Sequence, residues 1–145
     1  MRFKKKLENY FNEVLRTKPE PHAVGLGFAV GTGISILPTP GINILLGFLI
    51  LLIFKKLNKY TLFGSILFWN ILTLSPIYYL SYKIGDFIFG KTNIVTYDIT
   101  LLDHIYSFTR RFLVGDLILA VVISCLSYFL VKYVYMIILK NKEIL

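Results

Sequence analysis

Residues 23–54, a run of 32, contain no Asp, Glu, Lys or Arg, yet their middle reads Pro38-Thr39-Pro40-Gly41. An uncharged run of that length belongs in a bilayer, because crossing about 30 Å of hydrocarbon takes about 20 apolar residues. One continuous helix is excluded at the same time, since proline removes a backbone donor and clashes with the preceding turn. Each half is short: residues 23–37 and 42–54 span roughly 22 and 20 Å as helix, at about 1.5 Å per residue. The expected outcome is a helical hairpin broken at residues 38–41, either re-entering on the side it left or fully spanning. Broken backbone at membrane depth is tolerated only against protein or a watery cavity. Pro38, Thr39, Pro40, Gly41 and the nearby Asn43 are therefore candidate lining residues for a site.

Composition agrees with a membrane protein. Hydrophobic residues make up 56% of the 145 and the mean hydropathy is +0.68, well above a soluble domain. The formal charge is +8, from 16 Lys and Arg against 8 Asp and Glu. In a soluble chain that excess points to nucleic acid. Here the cations flank apolar segments, where anionic lipid head groups are the expected partner and nucleic acid is not. The single Cys125 allows neither a disulfide framework nor a zinc cluster, and no cofactor is expected. No apolar stretch follows the basic start before Pro19, so no cleavable signal peptide is expected.

Along the chain the pattern gives an all-α membrane protein with one membrane domain, 19–145, behind an N-terminal segment, 1–18. Phe3, Leu7, Phe11, Val14 and Leu15 fall at helical spacing, as in an interfacial amphipathic helix. Its cations Lys4, Lys5, Lys6 and Arg16 are candidate head-group contacts. The broken hairpin occupies 22–54. A second apolar helix, 60–82, is interrupted by Asn70, Thr73 and Ser75-Pro76. A mixed-polarity loop is expected over 83–111 and a C-terminal transmembrane helix over 112–139. Six cations precede the broken run and Lys55, Lys56 and Lys59 follow it. Both flanks therefore favour the cytoplasm under the positive-inside rule, as a hairpin requires, and the N-terminus is expected inside.

Small residues suggest how the helices meet. Gly25, Ala29 and Gly33 form one i, i+4 stripe, and Gly27, Gly31 and Ser35 form another. Rows of this kind let helix backbones approach closely in lipid. Residues 36–42 and 71–77 both set proline and small polar residues inside an apolar run, as paired broken segments do in transporters. The polar lining of such a site is Thr39, Asn43, Asn70, Thr73 and Ser75. Asp116 lies inside the last apolar segment, where a short acidic chain is costly and often functional. Arg110 and Arg111 are near enough in sequence to neutralise it or to join it in an anion site. Lys132 lies near the other end, with the snorkelling reach of a boundary lysine.

The motifs Pro21-x-x-x-Gly25-x-Gly27-Phe28-Ala29-x-Gly31, Leu37-Pro38-x-Pro40-Gly41, Leu57-Asn58 and Trp69-Asn70-x-x-Thr73-x-x-Pro76-x-Tyr78-Tyr79 occur in order. In these, residues 19–90 resemble the bacterial membrane-protein family known as domain of unknown function 2062. That family usually reads Asn-Pro where this chain has Asn70-Ile71, and alanine at Gly25. The resemblance implies an integral inner-membrane protein, in some relatives joined to glycosyltransferase modules, and supplies no reaction. No phosphate-binding loop, nucleophile elbow or zinc-protease motif is present, so an enzyme is not expected. Two classes of function remain: a small transporter or lipid-translocating protein, and a non-transporting scaffold for an envelope-synthesis partner. With so few crossings, enclosing a pathway calls for a homo-oligomer.

Overall fold

The computed structural model describes residues 2–16, 18–39, 41–69, 71–90 and 100–143. Within them are six helices and no strand: α1 (Arg2–Arg16), α2 (Pro21–Ile36), α3 (Asn43–Ile53), α4 (Lys59–Phe68), α5 (Ile71–Phe89) and α6 (Thr100–Glu143). Pro21 opens α2, a position where its missing donor costs nothing. The helix stops where Leu37 turns to ψ 138°, as a residue before proline must. Gly41, at φ +84°, then takes a conformation that a Cβ would strain, and the chain turns into α3. Asn58 caps α4 by accepting from the Thr61 N–H at 3.0 Å, one of the donors a helix start leaves free.

Helix α2 lies between α4 and α6 and touches each with one of its small-residue rows. Toward α4, a Cβ on Gly27 would lie 2.6 Å from the Asn58 carbonyl, and one on Gly31 2.5 Å from the Leu62 carbonyl. Toward α6, a Cβ on Gly25 would lie 3.0 Å from the Tyr128 carbonyl, and one on Gly33 3.0 Å from Ser124 Oγ. The order of these pairs sets α2 parallel to α4 and antiparallel to α6. Helix α3 leans on α4 through the buried Gly47 and exposes most of its other face, with Leu45 60% and Leu52 72% exposed.

Helices α5 and α6 form an antiparallel pair whose backbones nearly touch. A Cβ on Gly85 would overlap the Arg111 carbonyl, and one on Gly115 the Ser81 carbonyl. Tyr82 stacks with Phe108 at 5.2 Å and Tyr78 meets Phe112 edge-on at 5.4 Å. Arg111 pairs with Asp86 at 2.8 Å and donates to the Gly90 carbonyl at 2.7 Å, satisfying an acceptor at the end of α5. The loop expected over 83–111 is therefore corrected: α5 runs on to Phe89, α6 begins at Thr100, and residues 91–99 lie outside the described ones. The charges that read as loop join the ends of two helices. The last helix, expected over 112–139, is the middle of a 44-residue α6, roughly 66 Å long. Its part Leu101–Lys142 is long and apolar enough to cross a membrane.

The segment read as one interrupted helix, 60–82, is two helices that meet at 77°. The interruption falls after Phe68, whereas Pro76 is carried inside α5. Helix α1 docks through Tyr10, whose hydroxyl donates to the Tyr60 carbonyl at the start of α4. Burial, with Tyr60 alongside, raises the Tyr10 phenol above its ordinary value, so it docks as a neutral hydroxyl. Phe3, 78% exposed, and the exposed Lys4, Lys5, Lys6 and Arg16 remain free of the helical body.

The close approaches fix an order of mutational cost. Gly31→Leu and Gly115→Ala force side-chain atoms against backbone and are expected to lose about 2 kcal/mol or more, as overpacking does. Gly90→Ala, at φ +60° with nothing within 4 Å, is expected to lose about 1 kcal/mol. Unfolding in mixed micelles, followed by helical circular dichroism, checks this order.

Candidate functional site

Helix α6 is a ruler for the other elements. Arg111 meets Gly85, and Gly115 and Asp116 meet Ser81. Ala120 packs with Leu74 and Ile77 of α5 and with Ile36 of α2, joined by Leu119 and Ile123. Ser124 then meets Gly33, and Tyr128 and Lys132 meet Gly25. Helices α5 and α2 thus share α6 end to end. Both helix breaks, Leu37 after α2 and Trp69 after α4, pack on that one central cluster. The 21 positions from Arg111 to Lys132 run roughly 32 Å at about 1.5 Å per residue, which matches about 30 Å of hydrocarbon. The cluster on Ala120 and Ile123 lies near their midpoint.

Polar groups flank the cluster on both sides. Toward α4, Thr32 and Ser65, both fully buried, bond at 2.9 Å, and the Trp69 indole donates to Thr32 Oγ1 at 2.9 Å. Beside Thr32, Ser35 returns its hydroxyl to the Gly31 carbonyl at 2.8 Å. Toward α5, Ser81 donates to Asp116 Oδ1 at 3.1 Å. Asp116 is 0% exposed, and its Oδ2 has no hydrogen-bond partner among the described residues. An acid held this way is costly, because a buried carboxyl group needs partners for both oxygens. It is a group able to bind a proton or a donor that arrives from elsewhere.

The residues read from the sequence divide between places. Thr39 donates to Asn43 Oδ1 at 2.6 Å and closes the turn between α2 and α3, whose Pro38 and Gly41 are exposed. Thr73 donates to the Phe68 carbonyl at 3.3 Å across the second break, and Ser75 is exposed. Pro40 and Asn70 lie outside the described residues. Arg111 is committed to Asp86, and Arg110 stacks on Phe89 at 4.2 Å, so the anion site expected of Asp116 with the two arginines is not formed. Lys132 donates to the Tyr128 hydroxyl at 3.3 Å, which also lies 2.7 Å from His22 Nδ1.

Sequence reasoning missed Thr32, Ser65, Trp69, Ser81, His22 and Tyr128. A signal existed for Ser81: Ser81-x-x-x-Gly85 has the same small-residue spacing as the two rows of α2. An acid inside an apolar helix needs a nearby donor, and a helix that approaches on a glycine can bring one.

Among the described residues the fold is all-helical, with one unbroken helix long and apolar enough to cross a membrane and a fully buried acid on it. The chain belongs to a bacterial family described as "Uncharacterized protein conserved in bacteria", domain of unknown function 2062, whose pattern matches residues 4–143. That match runs past residues 19–90, on which the resemblance rested, and takes in α6 and Asp116. No curated relative and no solved structure matches the chain.

The Ser81–Asp116 contact gives opposite expectations for its two members. Ser81→Ala leaves the carboxyl group with no described donor and is expected to cost about 1–3 kcal/mol. Asp116→Leu removes the buried charge and is expected to be neutral or stabilising. The same micellar unfolding measurement checks both.

Proposed function

We propose that this is an integral protein of the bacterial cytoplasmic membrane, N-terminus inside, which moves a lipid or small solute across the bilayer where its broken helices meet. The observation that carries this reading is the convergence of both breaks on one cluster midway along α6, with the buried Asp116 one helical turn away. Paired broken segments that meet near the midplane are how transporters expose backbone polar groups at depth. An intramembrane acid kept against its cost marks an ion or substrate route by default.

Orientation follows from charge. The end where α2 and α4 begin and α6 finishes carries Lys18, Lys55, Lys56, Lys59, Lys140 and Lys142, and α1 docks there through Tyr10. That end favours the cytoplasm and anionic head groups. On this axis α2 and α3 occupy the span between the basic end and the midpoint, which supports the re-entrant form of the hairpin. The turn and α3 are open to their surroundings, with Ile42 49% and Ile44 54% exposed. A route open at its side suits a lipid better than a sealed channel suits a solute. The broad apolar face of α3 is also what a scaffold for an envelope-synthesis partner would present.

Vesicles holding fluorescent phosphatidylglycerol, bleached from outside by dithionite, separate the two. Wild-type protein is expected to make inner-leaflet label accessible. Asp116→Leu, still folded, is expected to do so at least tenfold more slowly. Protection of the inner leaflet in the presence of wild-type protein favours the scaffold.

A further inference from the structure

We infer that Asp116 holds an exchangeable proton, taken up and released as lipid moves, an inference that rests on the translocation reading above and names its coupling ion. The Ser81 hydroxyl has a single proton and two oxygens within reach, the Ile77 carbonyl at 2.9 Å and Asp116 Oδ1 at 3.1 Å. With Asp116 ionised, Ser81 gives that proton to Oδ1. Oδ2 then keeps its share of the negative charge with no partner among the described residues. With Asp116 protonated on Oδ1, the contact reverses. The acid donates to Ser81 Oγ, Ser81 donates to the Ile77 carbonyl, and Oδ2 is left as an uncharged carbonyl oxygen. The same oxygens hold both states, so a proton can come and go there without a helix moving to receive it.

The surroundings favour the protonated state at rest. Asp116 has no ion pair among the described residues, and the cations nearest in sequence are engaged elsewhere, Arg111 with Asp86 and Arg110 over the Phe89 ring. On α5 the ionisable neighbour is Tyr78, a phenol that brings no positive charge. Helix α2, which packs farther along α6 through Ile36, carries no Asp, Glu, Lys or Arg. A fully buried carboxyl group with no countercharge takes up a proton rather than stay ionised. A metal ion fits the place poorly. Hard cations take about six oxygens or more, whereas Asp116 and Ser81 offer two carboxyl oxygens and one hydroxyl. Helices α5 and α6 meet here so closely that a Cβ on Gly115 would overlap the Ser81 carbonyl, which leaves little room for further ligands. A proton needs none.

Infrared spectra of the full chain in an ester-free detergent test the proton directly, since exposed carboxyl groups are ionised at about pH 7. A carboxylic-acid stretch is expected in wild-type protein at that pH and is expected to vanish in Asp116→Asn. Ser81→Ala, which removes the acceptor, is expected to keep the band and move it to higher frequency. In the dithionite vesicle assay, Asp116→Asn keeps the size and neutrality of the protonated acid but has no proton to release. With helicity unchanged, it is expected to move lipid at least tenfold more slowly than wild type. Absence of any Asp116-dependent band overturns the inference, and lipid movement by the same sample leaves the translocation reading standing. Wild-type rates in Asp116→Asn also overturn it, because exchange is then not required. A band with no lipid movement by wild-type protein rejects translocation, and the coupling with it, while upholding the bound proton.

Discussion

The structure depends on how closely α2 can approach its two neighbours. Gly27 and Gly31 let it lie on the backbone of α4, and Gly25 and Gly33 let it lie on α6. On the membrane reading proposed above there is little hydrophobic drive between helices, so contact comes from dispersion between closely set backbones and from buried polar pairs. The Thr32–Ser65–Trp69 set adds the polar part on the α4 side. Once α2 is held this way, the end of α2 and the end of α4 must both reach the same part of α6.

That convergence turns two separate irregularities into one place. Leu37 and Trp69 pack with Leu74, Ile77 and Ala120, and the next turn on each side is polar. The Gly85 and Gly115 approach between α5 and α6 brings Ser81 to Asp116. The close approach and the buried acid belong together, since a bulkier residue at Gly115 would hold Ser81 out of reach. Stability alone would favour an apolar residue at position 116, so the acid there carries a cost that packing does not explain.

Much of this was legible in the sequence. The broken run announced itself because two prolines and a glycine cannot sit inside a helix, and the two rows of α2 have a spacing that only helix neighbours use. Other parts were hidden for physical reasons. Asp86, Arg110 and Arg111 read as loop because charge is usually solvated, whereas here Arg111 ties α5 to α6 and Arg110 lies on an aromatic ring. The Ser81–Asp116 contact joins residues 35 positions apart, and no local pattern states which helices will pair. Pro76 looked like a second break, but one missing donor near the start of a long helix did not end it. Asn70, expected in the same polar lining as Asn43, lies outside the described residues.

The claim on which all of this turns is that the hairpin tip and the middle of α6 share one depth. Nitroxide labels at Ile42 and at Val121, compared by collision with oxygen and with a water-soluble nickel complex in bilayers, measure that depth directly. The account predicts that both labels are deep and equally so, with a label at Ile53 shallow on the basic side. A label at Ile42 as shallow as one at Leu113, near the Arg111 end, would contradict it and leave a hairpin that crosses the bilayer completely.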